Sequence, residues 1–420
     1  MIAGLYATSA TLAAPGLNLL LARRVRRGKE IAARLGERRG LATLPRPAGR
    51  LMWLHAASVG ETISVLPLLP ALAVAAPDAA VLFTTGTVTS AELLARRMPA
   101  GRILHQFVPL DVPRWVARFL DHWRPDAAAF VESEIWPNLL AACRARSIPT
   151  MLVNARLSPG SFANWRRMPG FARTLFGGFS RIEAQSEADA ARLRALGAGV
   201  VETPGNLKFA APPLPVAPSD LAALRALLAS RPVWLAASTH PGEEAVAREA
   251  HRALAARHPG LLTVIVPRHP ERGAEVAAMM TGLAVARRAL GEPPPAGPGI
   301  WVADTLGELG LFYAAIGLAF VGGSLVAHGG QNVLEPARLG CAVLVGPHTR
   351  NFAEPVAVLD AAGALAQVAD GAALTETLDA LLRDPARRAA MGDAGRAAAS
   401  RDADLPQRVA AALAALLPPP

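Results

Sequence analysis

Short apolar runs alternate with amphipathic stretches of helical length along most of the chain. This rhythm predicts βαβ units arranged around parallel sheets. In the first half of the chain the predicted strands are Leu51–Ala56, Ala80–Thr84, Ala127–Val131, Met151–Val153 and Arg181–Ala184. In the second half they are Val233–Ala237, Leu262–Val266, Ile300–Ala303, Leu318–Val321 and Ala342–Val345. The pattern therefore predicts an α/β protein with two Rossmann-like domains of similar size.

Two proline-rich stretches interrupt the pattern. Four prolines in residues 210–218 predict a stiff linker, and residues 292–299 are expected to form a surface loop. The predicted organisation is an anchor with a basic flank in residues 1–30, a first domain in 31–210, a linker in 211–220, a second domain in 221–400, and a C-terminal helix and tail in 401–420. In such a protein a ligand normally lies in a cleft between the domains, at the carboxyl ends of the strands.

The N-terminus has no charged side chain from Met1 to Ala22, and a cluster of arginines with Lys29 follows. At 1.5 Å per residue this segment is long enough to cross ~30 Å of hydrocarbon. Positive charge after the apolar run indicates a single N-terminal anchor with the body of the protein in the cytoplasm. A helix lying on the bilayer and an ordinary buried helix are the alternatives. Outside this segment no run reaches ~18 uninterrupted apolar residues, so the remainder is expected to be globular.

Composition narrows the class of protein further. The 420 residues carry a net charge of +10, from 43 basic and 33 acidic side chains, and 52% of them are hydrophobic, which excludes a disordered chain. Lys29 and Lys208 are the only lysines, so the charge reflects arginine-rich composition. Because aromatic residues make up only 5%, no stacking platform for nucleic acid is expected. Cys143 and Cys341 lie far apart in apolar runs and indicate a reduced, cytosolic compartment.

Two motifs in the first half carry carboxylates at predicted strand ends. Residues 55–61 run from the first strand through a glycine-containing turn into a helix that starts near Glu61. Such a turn presents a carboxylate beside exposed N–H groups, although an acidic residue also simply favours the first turn of a helix. Residues 132–138 place Glu132 and Glu134 beside Trp136 and Pro137. Paired carboxylates suit general-base catalysis or polyol binding, and capping of the next helix is the alternative.

The second half carries motifs suited to an anion and a nucleotide. Ser238 and Thr239 stand where a strand leads into a helix, so their hydroxyls and nearby N–H groups suit phosphate binding or a capping box. Arg268 and His269 follow the next strand and suit a phosphate, although a solvated loop arginine is the alternative. Two glycine-rich turns, residues 322–324 and 328–330, precede a helix bearing Glu335, which indicates a nucleotide site.

Several well-known motifs are absent from the sequence. It has no GxGxxG after the first strand and no GxxxxGK[ST], which argues against a dinucleotide oxidoreductase and a P-loop NTPase. It has no HExxH and no DxD-like cluster at a strand end, which argues against a catalytic metal. Two Rossmann-like halves with these sites describe a metal-independent glycosyltransferase of the GT-B type.

The order of the motifs along the chain resembles that of the 3-deoxy-D-manno-octulosonic acid (Kdo) transferases of lipid A biosynthesis. The resemblance covers nearly the whole chain. Its motifs are residues 53–61 (WLHAASVGE), 132–138 (ESEIWPN), 154–158 (NARLS), 205–209 (GNLKF), 237–240 (ASTH), 267–270 (PRHP), 322–325 (GGSL) and 335–336 (EP).

The resemblance implies transfer of Kdo from CMP-Kdo to a lipid A precursor at the cytoplasmic face of the inner membrane. It implies inversion at the anomeric carbon, Glu61 as the general base, and neither metal nor cofactor in the transfer step. An inverting transfer needs a carboxylate on the face opposite the leaving group, which agrees with that role. The expected partners are CMP-Kdo, the lipid A precursor and inner-membrane lipids, without nucleic acid.

The resemblance also assigns residues to the donor and to the cleft. It implies that Arg268 and His269 contact the CMP phosphate, that Asn332 and Glu335 contact the ribose, and that Gly323 and Ser324 line the nucleotide site. Cytosine is expected at the backbone of Gly307, Glu308 and Leu309. The residues assigned to the acceptor and the cleft generally are Ser58, Gly60, Glu132, Asn154, Arg156, Lys208, Ser238 and Thr239. This chain has Gln331 and Val333 where many relatives have His and Pro, so no ring stands at position 331.

The lipid acceptor gives the basic flank a second role. Residues 23–27 with Arg34, Arg38 and Arg39 are expected at an anionic bilayer, each contributing ~1 kcal/mol near the surface, although a stop-transfer signal needs the same charges. Two other functions stay open at this point. One is another GT-B enzyme, such as a UDP-sugar transferase or epimerase. The other is a non-catalytic membrane protein that binds a nucleotide or an anionic lipid.

Overall fold

The computed structural model describes residues 2–97, 103–228 and 231–419, and the chain divides into two compact units. One unit contains residues 1–211 together with 402–420, and the other contains residues 212–401. Each unit is built on one parallel sheet, and within the described ranges each sheet has seven strands. The predicted α/β class with two Rossmann-like sheets is therefore confirmed.

The first unit has the strand order β3-β2-β1-β4-β5-β6-β7. Its strands are β1 (Leu51–Ala56), β2 (Ala80–Thr85), β3 (Ile103–Phe107), β4 (Ala127–Val131), β5 (Thr150–Ala155), β6 (Arg181–Ala184) and β7 (Val201–Glu202). Its helices up to the unit boundary are α1 (Ile2–Arg26), α2 (Val59–Val65), α3 (Leu68–Ala75), α4 (Val88–Arg97), α5 (Pro113–Trp123), α6 (Pro137–Ala145), α7 (Pro159–Arg166), α8 (Pro169–Phe176) and α9 (Glu187–Ala195). Short 3-10 helices cover Ala32–Arg34, Glu37–Arg39 and Leu207–Ala210.

The second unit has the strand order β10-β11-β9-β8-β12-β13-β14. Its strands are β8 (Val233–Thr239), β9 (Leu262–Pro267), β10 (Val285–Arg287), β11 (Gly299–Val302), β12 (Leu318–Val321), β13 (Ala342–Val345) and β14 (Leu365–Gln367). Its helices are α10 (Pro218–Leu228), α11 (Glu243–Ala255), α12 (Gly273–Met279), α13 (Leu309–Ile316), α14 (Leu334–Arg338), α15 (Ala353–Ala361), α16 (Gly371–Arg383) and α17 (Pro385–Ser400). Short 3-10 helices cover Pro270–Arg272, Arg288–Leu290 and Arg350–Phe352.

The last helix, α18 (Leu405–Ala414), returns to the first unit. It packs on α3, and its Leu405, Val409 and Leu413 join the apolar cluster on that face of the first sheet. At the start of this segment Asp402 accepts a hydrogen bond from the Asn206 N–H at 3.1 Å. The C-terminal segment is thus part of the core of the first unit.

The sheet of the first unit is buried on both faces. Along β1 all six residues are buried, and the five apolar ones alternate between two apolar clusters, one on each face of the sheet. Trp53 packs against Phe119 and Phe130 on one face, with ring centroids 4.8 and 5.2 Å apart. Burial on both faces explains why the central strands are largely apolar.

All ten predicted strands are present, with ends that differ by at most a few residues. Four described strands were not predicted, namely β3, β7, β10 and β14, and these are the edge strands of the two sheets. Edge strands are short and partly exposed, so they lack the unbroken apolar run that marks a central strand. Helix α10 also begins at Pro218, inside the stretch predicted as linker.

The basic flank after α1 is folded into the first unit. Arg38 is only 3% exposed, pairs with Glu30 at 3.1 Å and donates to the carbonyl of Gly86 at 2.7 Å. Arg34 binds both carboxylate oxygens of the buried Glu37 at 2.8 Å. The expectation that Arg34 and Arg38 face a bilayer is therefore wrong, because both guanidinium groups are engaged by internal carboxylates. Exposed cations remain at Arg23, Arg26, Arg27 and Lys29.

Candidate active site

Three residues at the carboxyl ends of strands adopt left-handed backbone conformations. Glu132 follows β4, Asn154 stands near the end of β5, and Ser238 stands near the end of β8, with φ values of 54°, 54° and 53°. Such a conformation is uncommon outside glycine and costs of order 1 kcal/mol or more, and it clusters at functional sites. All three belong to motifs that the sequence singles out, so backbone strain marks the strand ends in both units.

Glu61 lies in a capping box at the start of α2. The Ser58 hydroxyl accepts from the Glu61 N–H at 3.3 Å and donates to Glu61 Oε1 at 2.8 Å, while the Ala57 N–H donates to Oε2 at 2.7 Å. Burial raises the pKa of Glu61, the nearby charges of Glu134 and Glu132 raise it further, and the bonds from Ser58 and Ala57 oppose the rise. The acidic residue expected in the first turn of this helix is thus part of a capping box, which holds a carboxylate with increased affinity for a proton.

Glu134 is held by aromatic and imidazole donors. Its Oε2 accepts from Trp136 Nε1 at 2.7 Å and lies 3.2 Å from His55 Nε2. On the other side of the ring, His55 Nδ1 lies 2.9 Å from the Thr84 hydroxyl. Burial would raise the pKa of Glu134, but the contacts with His55 and Trp136 outweigh burial and lower it. Glu134 therefore stays ionised beside Glu61.

The ends of β4 and β5 are connected to the 3-10 helix Leu207–Ala210. Lys208 Nζ pairs with Glu132 Oε1 at 2.7 Å, and Asn154 Oδ1 accepts from the Leu207 N–H at 2.9 Å. This helix also contacts α2, which carries Gly60 and Glu61. The side chain of Arg156 is exposed, and its backbone N–H donates to the Glu132 carbonyl at 3.3 Å. The structure thus brings Ser58, Gly60, Glu61, Glu132, Asn154 and Lys208 into one region of the first unit.

In the second unit the carboxylate of Glu243 fills a cradle of backbone N–H groups. Oε2 accepts from His240 and Gly323 at 2.9 and 2.7 Å, and Oε1 accepts from Ser324 and Leu325 at 3.0 and 2.9 Å. Glu243 is 1% exposed. A side chain at Gly322 would come within 2.5 Å of the Ser238 carbonyl oxygen, so the close approach of the two turns requires glycine there. The N–H groups of Gly323, Ser324 and Leu325 are therefore engaged by this internal carboxylate.

Other groups at these turns are also paired within the protein. The Ser324 hydroxyl donates to the Val321 carbonyl at 2.5 Å and accepts from the Gly346 N–H at 2.9 Å. The Thr239 hydroxyl donates to the buried carboxylate of Glu244 at 3.0 Å. The same carboxylate forms an ion pair with Arg272 at 2.7 Å. Only the half-buried Ser238 retains a partly exposed side chain at the end of β8.

A cluster of three histidines and one arginine lies beside this cradle. The His240 ring stacks on His328 with centroids 3.9 Å apart, and His269 lies 6.5 Å away. Gln331 Nε2 lies 3.0 Å from His240 Nε2, so the amide side chain of Gln331 contacts the histidine cluster. Burial lowers the pKa of His240, and the nearby His328, His269 and Arg268 lower it further. The exposed Arg268 and His269 are suited to an anionic ligand.

Glu335 stands at the start of the short helix α14. Its Oε1 accepts from Asn332 Nδ2 at 3.1 Å, and the Asn332 Oδ1 accepts from the Leu334 N–H at 3.1 Å. Burial raises the pKa of Glu335, against the opposing effects of Asn332, Arg338 and Arg268. Arg268 is thus close enough to act electrostatically on both His240 and Glu335. This places the predicted phosphate and ribose residues in one region of the second unit.

The segment Gly307–Leu309 leads into α13 and borders a cavity. Glu308 pairs with Arg288 and accepts from the Thr305 hydroxyl, and these interactions outweigh its partial burial and lower its pKa. Arg288 lies over the rings of Trp301 and Phe312, at 5.2 and 5.4 Å from their centroids. A cavity of about 460 Å³ opens beside these groups.

Sequence reasoning missed the role of Glu243 and the pairing of Gln331 with His240. An acidic residue at the start of α11 was visible in the sequence, but it gave no indication that the carboxylate reaches a loop eighty residues later. In residues 2–97, 103–228 and 231–419 no group of three or more His, Cys, Asp or Glu side chains is arranged to hold a metal ion. By length and composition α1 is apolar enough to cross a membrane.

Comparison with known proteins gives this architecture a class and a family. Residues 33–211 match the family described as 3-Deoxy-D-manno-octulosonic-acid transferase (kdotransferase). The 3-deoxy-D-manno-octulosonic acid transferase of Bordetella pertussis is 37% identical over 422 residues, covering 98% of both chains. The probable mitochondrial 3-deoxy-D-manno-octulosonic acid transferase of Arabidopsis thaliana is 37% identical over 384 residues, covering 88% of this chain and 86% of the relative.

Among solved structures, the UDP-GlcNAc 2-epimerase from Neisseria meningitidis bound to UDP-GlcNAc is similar in fold. It has 15% sequence identity and a TM-score of 0.54, and the match covers 82% of this chain and 94% of the epimerase. The fold and the relatives define a glycosyltransferase of the GT-B type. Within that class, the chain belongs to the family of 3-deoxy-D-manno-octulosonic acid (Kdo) transferases.

Proposed function

We propose that this enzyme transfers Kdo from CMP-Kdo to a lipid A precursor in lipopolysaccharide biosynthesis, with Glu61 as the general base. The observation that carries the mechanism is the environment of Glu61, a buried carboxylate held in a capping box with Glu134 and Glu132 nearby. A general base works best when its pKa approaches the operating pH, and burial with like charges moves a carboxyl group in that direction.

The step is an inverting displacement. The acceptor hydroxyl attacks the anomeric carbon of Kdo while its proton passes to the Glu61 carboxylate. The bond between that carbon and the CMP phosphate oxygen breaks, and its electron pair leaves with CMP. Ser58 and Ala57 fix both oxygens of Glu61 and so orient the base. Glu132, Lys208, Asn154 and Arg156 are assigned to the surroundings of the acceptor, with Gly60 leaving room beside α2.

The donor is assigned to the second unit. Arg268 and His269 hold the CMP phosphate beside His240, because both side chains are exposed and carry N–H donors suited to a phosphate. Asn332 and Glu335 bind the ribose hydroxyls, and the backbone of Gly307, Glu308 and Leu309 meets the cytosine. The N–H groups of Gly323 and Ser324 are bound to Glu243. These two residues therefore shape the nucleotide site and do not bind the donor through their N–H groups. Ser238 and Thr239 complete the turn. We assign no metal and no cofactor to the step.

The membrane location is part of the same proposal. We assign α1 as the N-terminal anchor at the cytoplasmic face of the inner membrane, because it is long and apolar and ends in exposed cations. An acceptor with acyl chains stays in the bilayer, so attachment keeps the enzyme at its substrate.

The test measures CMP release with CMP-Kdo and the lipid A precursor for the wild type, Glu61→Gln and Glu61→Ala. We expect kcat to fall by roughly 10²–10⁴ in both variants, which is the usual contribution of a general base. Glu92→Gln changes an exposed carboxylate on α4 and is the matched control. Near-normal turnover of a folded Glu61→Gln variant, or CMP release that does not depend on the acceptor, would contradict the proposal and favour another GT-B enzyme or a binding protein.

A further inference from the structure

Helix α1 is docked along the first unit over most of its length. Near its start the Tyr6 hydroxyl donates to Asp111 at 3.0 Å, and near its middle Asn18 accepts from Arg39 at 2.8 Å. Near its end Arg24 binds Glu30 at 3.0 Å. These contacts extend from residue 6 to residue 24, a helical length of about 27 Å at 1.5 Å per residue. The helix therefore lies side-on against the folded unit.

Apolar contacts follow the same face of the helix. Ala14 is fully buried against Val112 and Trp115, and Leu17 packs beside them. In addition, Asp111 accepts from the N–H groups of Asn138 and Leu139 at the start of α6, at 3.0 and 2.8 Å. The docked face of α1 is thus tied to two helices of the core.

The opposite face of α1 is apolar and exposed. Leu5, Leu12 and Leu19 are 68%, 76% and 74% exposed and stand seven residues apart, so they form one stripe. Arg23 follows Leu19 by four residues on the same face, and Arg26, Arg27 and Lys29 continue the exposed charge. None of these four cations contacts an acidic side chain among the residues that the structure describes. Apolar side chains beside cations match the headgroup region of an anionic bilayer.

A spanning orientation conflicts with the docking. If α1 crossed the bilayer, the elements packed along it would enter the hydrocarbon with it. Helix α5, which packs on α1 through Trp115, carries the exposed Arg114 and Arg118. Charged side chains in hydrocarbon are costly, and a folded surface that bears them does not enter it readily.

We propose that α1 lies in the plane of the membrane, with the leucine stripe in one leaflet and its other face on the folded unit. The partner of this surface is the anionic bilayer, and both ends of α1 are on the cytoplasmic side. This proposal rests on the membrane attachment proposed above, but it concerns the orientation of the helix and is tested without any assay of sugar transfer.

The test introduces one cysteine at Gly4, where an added side chain meets nothing within 4 Å. The native Cys143 and Cys341 are buried, so the wild type is the unlabelled control. Gly199→Cys, at an open position in the globular part of the first unit, reports the cytoplasmic side. A membrane-impermeant maleimide is added to intact cells with a permeabilised outer membrane and, separately, to inverted inner-membrane vesicles.

We expect both cysteines to react only in the inverted vesicles. Labelling of Gly4→Cys in the intact cells, with Gly199→Cys protected, would show a spanning helix and overturn the proposal. Labelling of Gly4→Cys only after detergent is added would place residue 4 in the hydrocarbon and also overturn it.

A second measurement tests the leucine stripe. Purified Leu12→Glu/Leu19→Glu is mixed with phosphatidylethanolamine–phosphatidylglycerol vesicles, and binding is measured by flotation. We expect at least a tenfold loss of bound protein, whereas Val74→Glu, at an exposed apolar position on α3, binds like the wild type. Equal binding of the stripe variant and the control would contradict the proposed surface, whatever the outcome of the transfer assay.

Discussion

The Gly323 N–H donates to Glu243 Oε2 at 2.7 Å, which joins the glycine-rich turn after β12 to the start of α11. Three more N–H groups, from His240, Ser324 and Leu325, converge on the same carboxylate. A glycine-rich turn before a nucleotide helix is usually expected to hold phosphate with its backbone. These backbone N–H groups are already engaged by a carboxylate, so we expect side chains to hold the phosphate of a bound nucleotide.

Replacing Glu243 with glutamine is expected to destabilise the second unit by about 2–4 kcal/mol, because the amide N–H₂ replaces one acceptor and leaves two buried N–H groups unpaired. Loosening of the turn should also raise the KM for CMP-Kdo more than it lowers kcat. Thermal unfolding and steady-state kinetics measure the two effects. Glu376→Gln, at an exposed position on α16, is the control and should change neither. A fully stable Glu243→Gln variant with normal KM would show that the turn does not depend on this carboxylate.

The charge of Glu134 is expected to influence the pH at which activity is lost on the acidic side of the pH–rate profile. It does so because it raises the pKa of Glu61. The base acts when ionised, so activity falls as pH drops through its raised pKa. Replacing Glu134 with glutamine removes the carboxylate with the larger effect on Glu61, which lowers the pKa of Glu61 and moves the acid limb to lower pH. Glu132→Gln should move it in the same direction by less. Profiles of kcat/KM against pH measure the shifts. An unchanged limb in Glu134→Gln would contradict this coupling.

Binding of CMP is expected to take up protons at the histidine cluster. Burial and the positive neighbours lower the pKa of His240, and a bound phosphate would offset those charges and raise it again. Affinity for CMP should therefore rise as pH falls, by roughly 3–10-fold over about one pH unit. Calorimetry near pH 6, in two buffers with different ionisation enthalpies, measures the protons taken up. The uptake should be smaller in His240→Asn, and equal uptake in both proteins would exclude this group as its source.

Removal of the buried Arg38 guanidinium is expected to destabilise the first unit strongly. Arg38→Gln leaves Glu30 with one cationic partner fewer and leaves the Gly86 carbonyl without its donor. Loss of one partner of a buried ion pair typically costs 3–5 kcal/mol, so about that loss is expected in urea unfolding. Arg26→Gln removes an exposed charge from the end of α1 and should stay within about 0.5 kcal/mol of the wild type. Similar stability of the two variants would contradict the structural role of Arg38.

The sequence by itself determined the central strands, because a strand buried on both faces is largely apolar, as in Leu51–Ala56, where His55 is the one polar residue. It also determined the motifs at the strand ends, because the residues of each motif directly follow a strand in the sequence. The acidic residue in the first turn of α2 was visible in the sequence, whereas the capping box that joins Ser58 to Glu61 was not predicted, although it spans only four residues.

Only the tertiary structure decided which charges are free and which are engaged. Glu243 meets Gly323 eighty residues away, Arg38 meets Gly86, and Tyr6 meets Asp111. No periodicity encodes such contacts, because they depend on how separate elements pack. The same limit applies to α1, whose composition predicts a membrane anchor but does not decide between a spanning helix and a surface helix. Its orientation follows from the face that docks on the folded unit, which is a property of packing and not of hydropathy.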